Sequence, residues 1–344
     1  MFIRVRDQSY VGAAAKAPMN IWHQRLGHIS VDKIKTMIKN NVVTGLQVGD
    51  TRDVFCEGCA FGQMTRRPRK EVLKTRKCRP GEFIHADVHG PVQVQSAGGK
   101  RYYVVFKDEA SRYRDVSFLR TKDEVLGYFK GFVAWSKKTT GRDVKLLRTD
   151  NGTEFVNGPF REFLRKKGIH AERTPVASPE SNGFIERENR TLMEKARCML
   201  LSSCLPQRLW AEAVNTAAYI MNRVPNVGAK DRSPYELFVG KKPDVSHLKV
   251  FGSPAYYIRT DQRRGLDSNC FNGNLVGNSN DSTKIFRIYG KDGKLVKTSD
   301  VTFDESMFAK QVSFVDLYGE SEEAEEHRSV LVESQTDGSD QRRV

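Results

Sequence analysis

Two groups of residues have side chains and spacing suited to chemistry. His23-x4-His28 is followed, after 27 residues, by Cys56-x2-Cys59. Two imidazoles and two thiolates are the donors that tetrahedral Zn2+ prefers, and a full protein quartet predicts a closed structural site. Read otherwise, the histidines lie on a helix surface and the cysteine pair is a chance or redox motif. The second group is acidic: Asp87 in Ile84-His85-Ala86-Asp87-Val88, Asp150 in Arg148-Thr149-Asp150-Asn151-Gly152, and Glu186 in Asn182-Gly183-Phe184-Ile185-Glu186-Arg187. Hard Mg2+ takes oxygen ligands. Three carboxylates on neighbouring elements could hold two such ions ~3.5 to 4 Å apart for an in-line displacement at phosphorus, one activating a water or 3′-hydroxyl. Each acid also has an ordinary reading. Asp150-Asn151-Gly152 is a turn sequence, Asp87 an edge residue, and Glu186 a neighbour of Glu180, Glu188 and Glu194 on a solvated face.

The elements that must position these residues fall into three units. From 21 to 68, Leu26, Ile29, Val31, Ile34, Met37 and Ile38 recur at roughly helical spacing, with Ser30 as N-cap of a helix over Val31–Lys39. That is too little core for ~50 residues without a staple, which favours zinc. Arg66 to Lys77 follows with seven bases in twelve residues and reads as a linker. From 81 to 225 the pattern is mixed: strands over 83–88, 102–106 and 116–119, a helix over 123–137, and a strand over 144–148. An amphipathic stretch (160–167), a short extended piece (171–174) and helices over 180–203 and 206–223 come next. From 247 to 305, β-branched and aromatic residues between Gly, Asn and Asp turns predict a small β barrel or meander, with extended pieces at 250–251, 255–258, 284–289 and 295–303. The segment 306–344 is predicted to be a disordered acidic tail.

The chain has 344 residues, with 57 Lys+Arg against 42 Asp+Glu, a net +15. The last 41 residues hold 11 acids and 4 bases, which leaves the first 303 at +22. A polyanion is the partner to expect. No run approaches the ~18 apolar residues of a membrane span. The six cysteines form no disulfide framework, and Met1 to Lys16 has no apolar signal core, so a reducing compartment rather than secretion is expected.

Taken together, these residues resemble the integrase region of a Ty1/copia-type retrotransposon Pol polyprotein. The resemblance rests on the zinc quartet, on Asp87 within His85 to Pro91, on Asp150 within Arg148 to Gly152, and on Glu186 after 35 intervening residues. Trp22 to His28, Asn189-Arg190-Thr191-Leu192, Trp210 to Ala213, Ser233 to Glu236 and His247 to Gly252 extend it over about 21–305. It implies an α/β fold: a ribonuclease-H-like integrase core (81–225) behind a small N-terminal zinc-binding helical pre-integrase domain (21–68), with a small C-terminal β domain (247–305). It further implies structural Zn2+ on His23, His28, Cys56 and Cys59, and catalytic Mg2+ or Mn2+ on Asp87, Asp150 and Glu186. The expected activity is 3′-end processing and strand transfer. The expected partners are double-stranded DNA, as element ends and target, and further copies in a homo-multimer, with no membrane. Synthesis is expected in the cytoplasm and action in the nucleus.

For phosphate contact the candidates are Arg187 and Arg190, which flank Glu186 at helical reach, then Lys195, Lys166 and Lys167, and the linker bases Arg66, Arg67, Arg69, Lys70 and Lys74. Trp22, Trp135 and Trp210 are expected in the core. Several positions depart from the family pattern: Lys107 in Phe106-Lys107-Asp108-Glu109, Thr153 after Gly152, Glu180-Ser181 before Asn182-Gly183, and the untidy segment 270–281. No protease, reverse transcriptase or ribonuclease H segment follows, as in a fragment, a truncated copy or a co-opted gene. The rival reading is a domesticated or decayed copy that binds zinc and DNA without chemistry. A weaker one is a nuclease of the same fold acting on RNA in hybrids.

Overall fold

The structure, a computed structural model, describes residues 17–50, 56–63, 78–173, 179–225, 231–258, 268–279 and 282–306. The basic linker and the acidic tail beyond Ser306 fall outside these residues.

Three short helices open the chain: α1 (Met19–Arg25), α2 (Val31–Lys39) and α3 (Glu57–Gln63). Ser30 stands at the N-cap of α2 as the sequence predicts, but its side chain makes no capping hydrogen bond. The central sheet comprises β1 (Phe83–His89), β2 (Tyr102–Asp108), β3 (Arg114–Leu119), β4 (Leu146–Thr149) and β5 (His170–Arg173), in the order β3-β2-β1-β4-β5. The first three strands are antiparallel neighbours, whereas β4 and β5 run parallel to β1.

Strand alternation divides the molecule into two layers. Ile84 and Ala86 of β1 and Val104 and Phe106 of β2 point into one core with α4 (Val125–Thr140), α5 (Thr153–Val156) and α6 (Gly158–Lys167). His85 and Asp87, at the alternate positions of β1, are left for the other face. There Tyr103 and Val105 join the second core, built around α7 (Pro179–Ser203) and α8 (Trp210–Met221). Local signals fix several ends. Gly141 and Gly168 stop α4 and α6 with left-handed φ values of 70° and 66°, where no Cβ strain arises. Asn157 caps α6 by accepting from the Phe160 N–H at 2.9 Å.

The first unit has no separate core. Met19, Trp22, Leu26, Ile34 and Met37 are buried in the same cluster as Leu192, Ala196 and Met199 of α7, Val214 and Ala217 of α8, and Val250 and Phe251. The apolar surface that the N-terminal helices lack is thus supplied by the larger unit. Val250 and Phe251, expected to be extended, sit buried in a turn after α9 (Pro234–Val239).

The C-terminal unit is a five-stranded antiparallel sheet, in the order β10-β6-β7-β8-β9, of β6 (Pro254–Ile258), β7 (Cys270–Asn278), β8 (Phe286–Gly290), β9 (Leu295–Thr298) and β10 (Val301–Phe303). The segment 270–281, untidy in sequence, supplies the central nine-residue strand. Its two glycines obscured it. A Cβ on Gly273 would come within 2.4 Å of the Tyr289 carbonyl, and Gly277 (φ 147°) lies at a register irregularity. Trp22 and Trp210 are buried as expected, but Trp135 is 37% exposed and stacks on Phe238. Among the described residues no helix is long and apolar enough to cross a membrane.

Candidate active site and metal centre

Strand register brings the first two acids together. β1 and β4 pair in parallel with His85 opposite Arg148, so two residues further on Asp87 lies level with Asp150, just past the end of β4. Equal parity puts both side chains on the α7 face, and adjacent strands lie ~4.8 Å apart. The Gly152 N–H donates to Asp150 Oδ1 at 3.0 Å, so the ordinary turn is present and it orients the carboxylate. Glu186, exposed on α7, completes the set. Burial pushes the Asp87 carboxyl up to about 6, and the charges of Asp150 and Glu186 push in the same direction. β1 is the central strand of the sheet, so Asp87 is not an edge residue, and the three acids are near enough for the charges of two to act on the third. They are spread more widely than the zinc-type quartet, which among the described residues is the one cluster of candidate ligands close enough to hold an ion as placed.

The first turns of α7 are held by contacts that the sequence reading did not assign. Asn189, one turn after Glu186, donates from Nδ2 to Asp87 Oδ2 at 2.7 Å. Its spacing from Glu186 was the available signal. Glu188 is not on a solvated face: it is 5% exposed and forms ion pairs with Arg114 Nε at 2.5 Å and with Lys107. Lys107 and Arg112 both lie over the Phe184 ring, at 4.0 and 4.4 Å from its centroid, and His85 packs against the same ring at 4.5 Å. The cation that departs from the family pattern is thus buried and paired, with burial lowering its pKa to about 8. A donor, an ion pair and an aromatic clamp fix the helix on either side of Glu186.

The metal quartet is built by two turns and a close helix contact. His28 donates its N–H to the His23 carbonyl at 2.8 Å and takes a left-handed φ of 59°, next to Gly27 at 61°. This folds the second imidazole back onto the first, ring centroids 5.0 Å apart. Cys56 precedes α3, and its carbonyl accepts the Cys59 N–H at 3.1 Å. His23 Nε2 lies 3.2 Å from Cys59 Sγ and His28 Nδ1 3.2 Å from Cys56 Sγ, with all four ligand atoms within 4.8 Å of one another. The outward nitrogens are engaged: His23 Nδ1 with the Ile29 carbonyl at 2.7 Å, His28 Nε2 with Ser202 Oγ at 3.1 Å. The Ile29 carbonyl can only accept, which puts the His23 proton on Nδ1; the Ser202 hydroxyl donates to the Met199 carbonyl, so its oxygen accepts from His28 Nε2, and Nε2 of His23 and Nδ1 of His28 are the lone-pair donors. Burial lowers the His28 pKa and keeps the ring neutral. The Cys59 thiol, then the two imidazoles, hold Cys56 down in the thiolate range, while Cys198, Cys56 and burial raise Cys59. Two neutral imidazoles and two sulfurs at this spacing fit a tetrahedral zinc ion.

The basic candidates divide. Arg187 and Arg190 are exposed on α7, on either side of Asn189 and next to Glu186. Lys195 is engaged within the chain: its ammonium donates to the His28 carbonyl at 2.6 Å, and burial lowers its pKa. Its reach is used inside the metal-binding unit. Lys166 and Lys167 are exposed. They end α6, just before β5 begins level with Leu146, so the parallel topology puts them at the end of the sheet away from Asp150. Lys166 pairs there with Glu162 at 3.4 Å. Arg66, Arg67, Arg69, Lys70, Lys74 and the side chains of Glu180 and Ser181 lie outside the described residues.

Residues 3–64 match the GAG-pre-integrase domain, and residues 78–179 match the integrase core domain, a match that ends before Glu186. The Retrovirus-related Pol polyprotein from transposon TNT 1-94 of Nicotiana tabacum is 35% identical over 290 residues, covering 84% of this chain and 22% of that polyprotein. The Transposon Ty1-LR3 Gag-Pol polyprotein of Saccharomyces cerevisiae is 29% identical over 249 residues, 70% of this chain and 14% of that one. Among solved structures, the HTLV-2 integrase catalytic core domain in complex with magnesium is 19% identical, with a TM-score of 0.37 over 47% of this chain and 99% of that one. The chain spans about a fifth of the length of the plant polyproteins it matches. The chain thus carries a GAG-pre-integrase domain followed by an integrase core domain, and over most of its length it is similar to Pol polyproteins of Ty1/copia-type transposons.

Proposed function

We propose that the chain is a metal-dependent polynucleotidyl transferase that trims the 3′ ends of element DNA and joins them to double-stranded target DNA, working in the nucleus as a homo-multimer. The observation that carries this is the register that puts Asp87 of β1 level with Asp150 just past β4, with the charges of Asp150 and Glu186 both raising Asp87. Asp87, Asp150 and Glu186 would hold Mg2+ or Mn2+, and His23, His28, Cys56 and Cys59 a structural Zn2+. Divalent ions so bound supply an activated water or 3′-hydroxyl and stabilise the leaving oxygen.

The protein's own residues contribute order and charge. Asn189 directs one Asp87 oxygen. The turn at Gly152 fixes Asp150. Arg187 and Arg190 offer guanidinium groups for phosphates beside the carboxylates, contacts that position a duplex without reading its bases. That suits a reaction at many target sequences. Two departures raised in favour of a decayed copy, Lys107 and 270–281, are a paired buried cation and a well-formed strand.

The test is strand transfer by purified, zinc-loaded protein with a labelled element end, target DNA and Mg2+ or Mn2+. Joined products are expected, and they disappear in Asp150→Asn. No product in either metal would refute the proposal. Salt-sensitive DNA binding unaltered by Asp150→Asn, with no chemistry, would establish the non-catalytic alternative.

A further inference from the structure

The helix that carries Glu186 also backs the metal quartet. Three α7 residues at helical spacing, Lys195, Cys198 and Ser202, turn toward the N-terminal unit. Lys195 holds the His28 carbonyl at 2.6 Å and Ser202 Oγ meets His28 Nε2 at 3.1 Å. Cys198, fully buried, hydrogen-bonds the Cys59 thiol. Contact between the helices is close because α3 presents two buried glycines one turn apart. A Cβ on Gly58 would lie 3.3 Å from Ser202 Cβ, and one on Gly62 would lie 2.3 Å from Cys198 Sγ. Two of the four ligands are thus braced directly by side chains of α7, and its backbone carbonyl at Cys198 lies 3.5 Å from the place of a Gly58 Cβ.

We propose that Lys195, Cys198 and Ser202 form the outer shell of the zinc site, and that zinc loading thereby fixes α7 and sets the affinity of the Asp87, Asp150 and Glu186 site for its divalent ion. Outer-shell partners orient ligating histidines, and their loss costs ~10 to 100-fold in metal affinity. An ordered quartet stabilises the second half of α7. Through that continuous helix it also stabilises the first turns, where Asn189 meets Asp87 and Glu186 faces it. Coupling of this kind is reciprocal, so the divalent ion must in turn tighten zinc. The inference rests on the functional reading above only for the second ion. Its first half stands on the quartet alone.

The experiment uses the full chain. Zinc release to a chromogenic chelator is timed in wild type, Ser202→Ala, Lys195→Met and, as a control on the exposed side of α7, Arg197→Ala. At least tenfold faster release is expected in the first two variants, with the control unchanged. Amide exchange is then compared with zinc loaded and stripped. Stripping should speed exchange in 185–203 while α4, which belongs to the opposite core, keeps its protection. Mn2+ binding to the stripped protein should weaken about tenfold, within the usual range for coupled sites. Unchanged zinc release in both variants, exchange lost equally from α4, or Mn2+ affinity indifferent to zinc would each overturn the proposal. Absence of Mn2+ binding in both states would count against the transferase reading, while zinc release and exchange would still decide the coupling.

Discussion

The raised carboxyl of Asp87 makes the ion-free protein sensitive to pH in a defined direction. Folding moves this group from the ordinary 3.8 to about 6, first by burial and then by Asp150 and Glu186. The unfolded chain therefore releases the proton near pH 4 and the folded chain near pH 6. Between those values the native state binds more protons, so stability falls as pH rises. At 1.36 kcal/mol per unit, the penalty grows to roughly 3 kcal/mol above pH 6 and is absent below pH 4. A divalent ion inverts the sign, since it needs the ionised form. Mn2+ affinity should be flat above about pH 6.5 and fall towards tenfold per pH unit below 6. Calorimetric titration of zinc-loaded protein between pH 5.5 and 8 measures this, and carboxyl-carbon NMR of the ion-free protein gives the midpoint directly. In Asp150→Asn the midpoint should drop but stay above 3.8, because burial outweighs the neighbouring charge. A midpoint at the ordinary value, or Mn2+ affinity independent of pH across this range, would refute the argument.

Three further outcomes are expected. Glu188→Gln leaves Lys107 and Arg114 buried without their counter-charge and should cost about 3 to 5 kcal/mol in denaturant unfolding, with Lys107→Met in the same chain recovering much of the loss. Gly62→Ala forces α3 away from Cys198 and should destabilise by about 1 to 3 kcal/mol, with faster zinc release to a chelator. Arg187→Ala and Arg190→Ala should each lower the slope of log K for DNA against log salt by ~0.9, read by fluorescence anisotropy, while Lys166→Ala and Lys167→Ala leave it unchanged.

The central sheet was legible because its alternation is clean. Ile84, Ala86 and Val88 against His85 and Asp87 announce a strand with one polar face, and the four-strand order with an intervening helix follows from the turns. The His23, His28, Cys56 and Cys59 set was legible because its donor types are rare and closely spaced. Glu188 was misread because helix charges are solvated by default, and its partners Lys107 and Arg114 come from strands more than seventy residues earlier in the chain. The contact of Lys195 with the His28 carbonyl was not legible for the same reason: periodicity gives the face of a helix but not what covers it. The place of Lys166 and Lys167 was not legible, since only the parallel β4–β5 pairing shows at which end of the sheet α6 stops. The strand at 270–278 escaped because glycine and asparagine depress β propensity in the one position where the backbone of a neighbour needs the space.

The shared core of the N-terminal helices with α7, α8 and the turn at Val250-Phe251 has an evolutionary consequence. The sequence divides into blocks that look interchangeable, yet Met19, Trp22 and Leu26 are packed against side chains 170 to 230 positions downstream. A recombination between related elements that exchanged only the first sixty residues would join two surfaces that had drifted apart, and would open voids in the layer that holds the His/Cys quartet and α7. Ancestry should therefore be shared between residues 17–63 and the α7–α8 layer, while α4 and α6 pack in a separate core and are under less of this constraint.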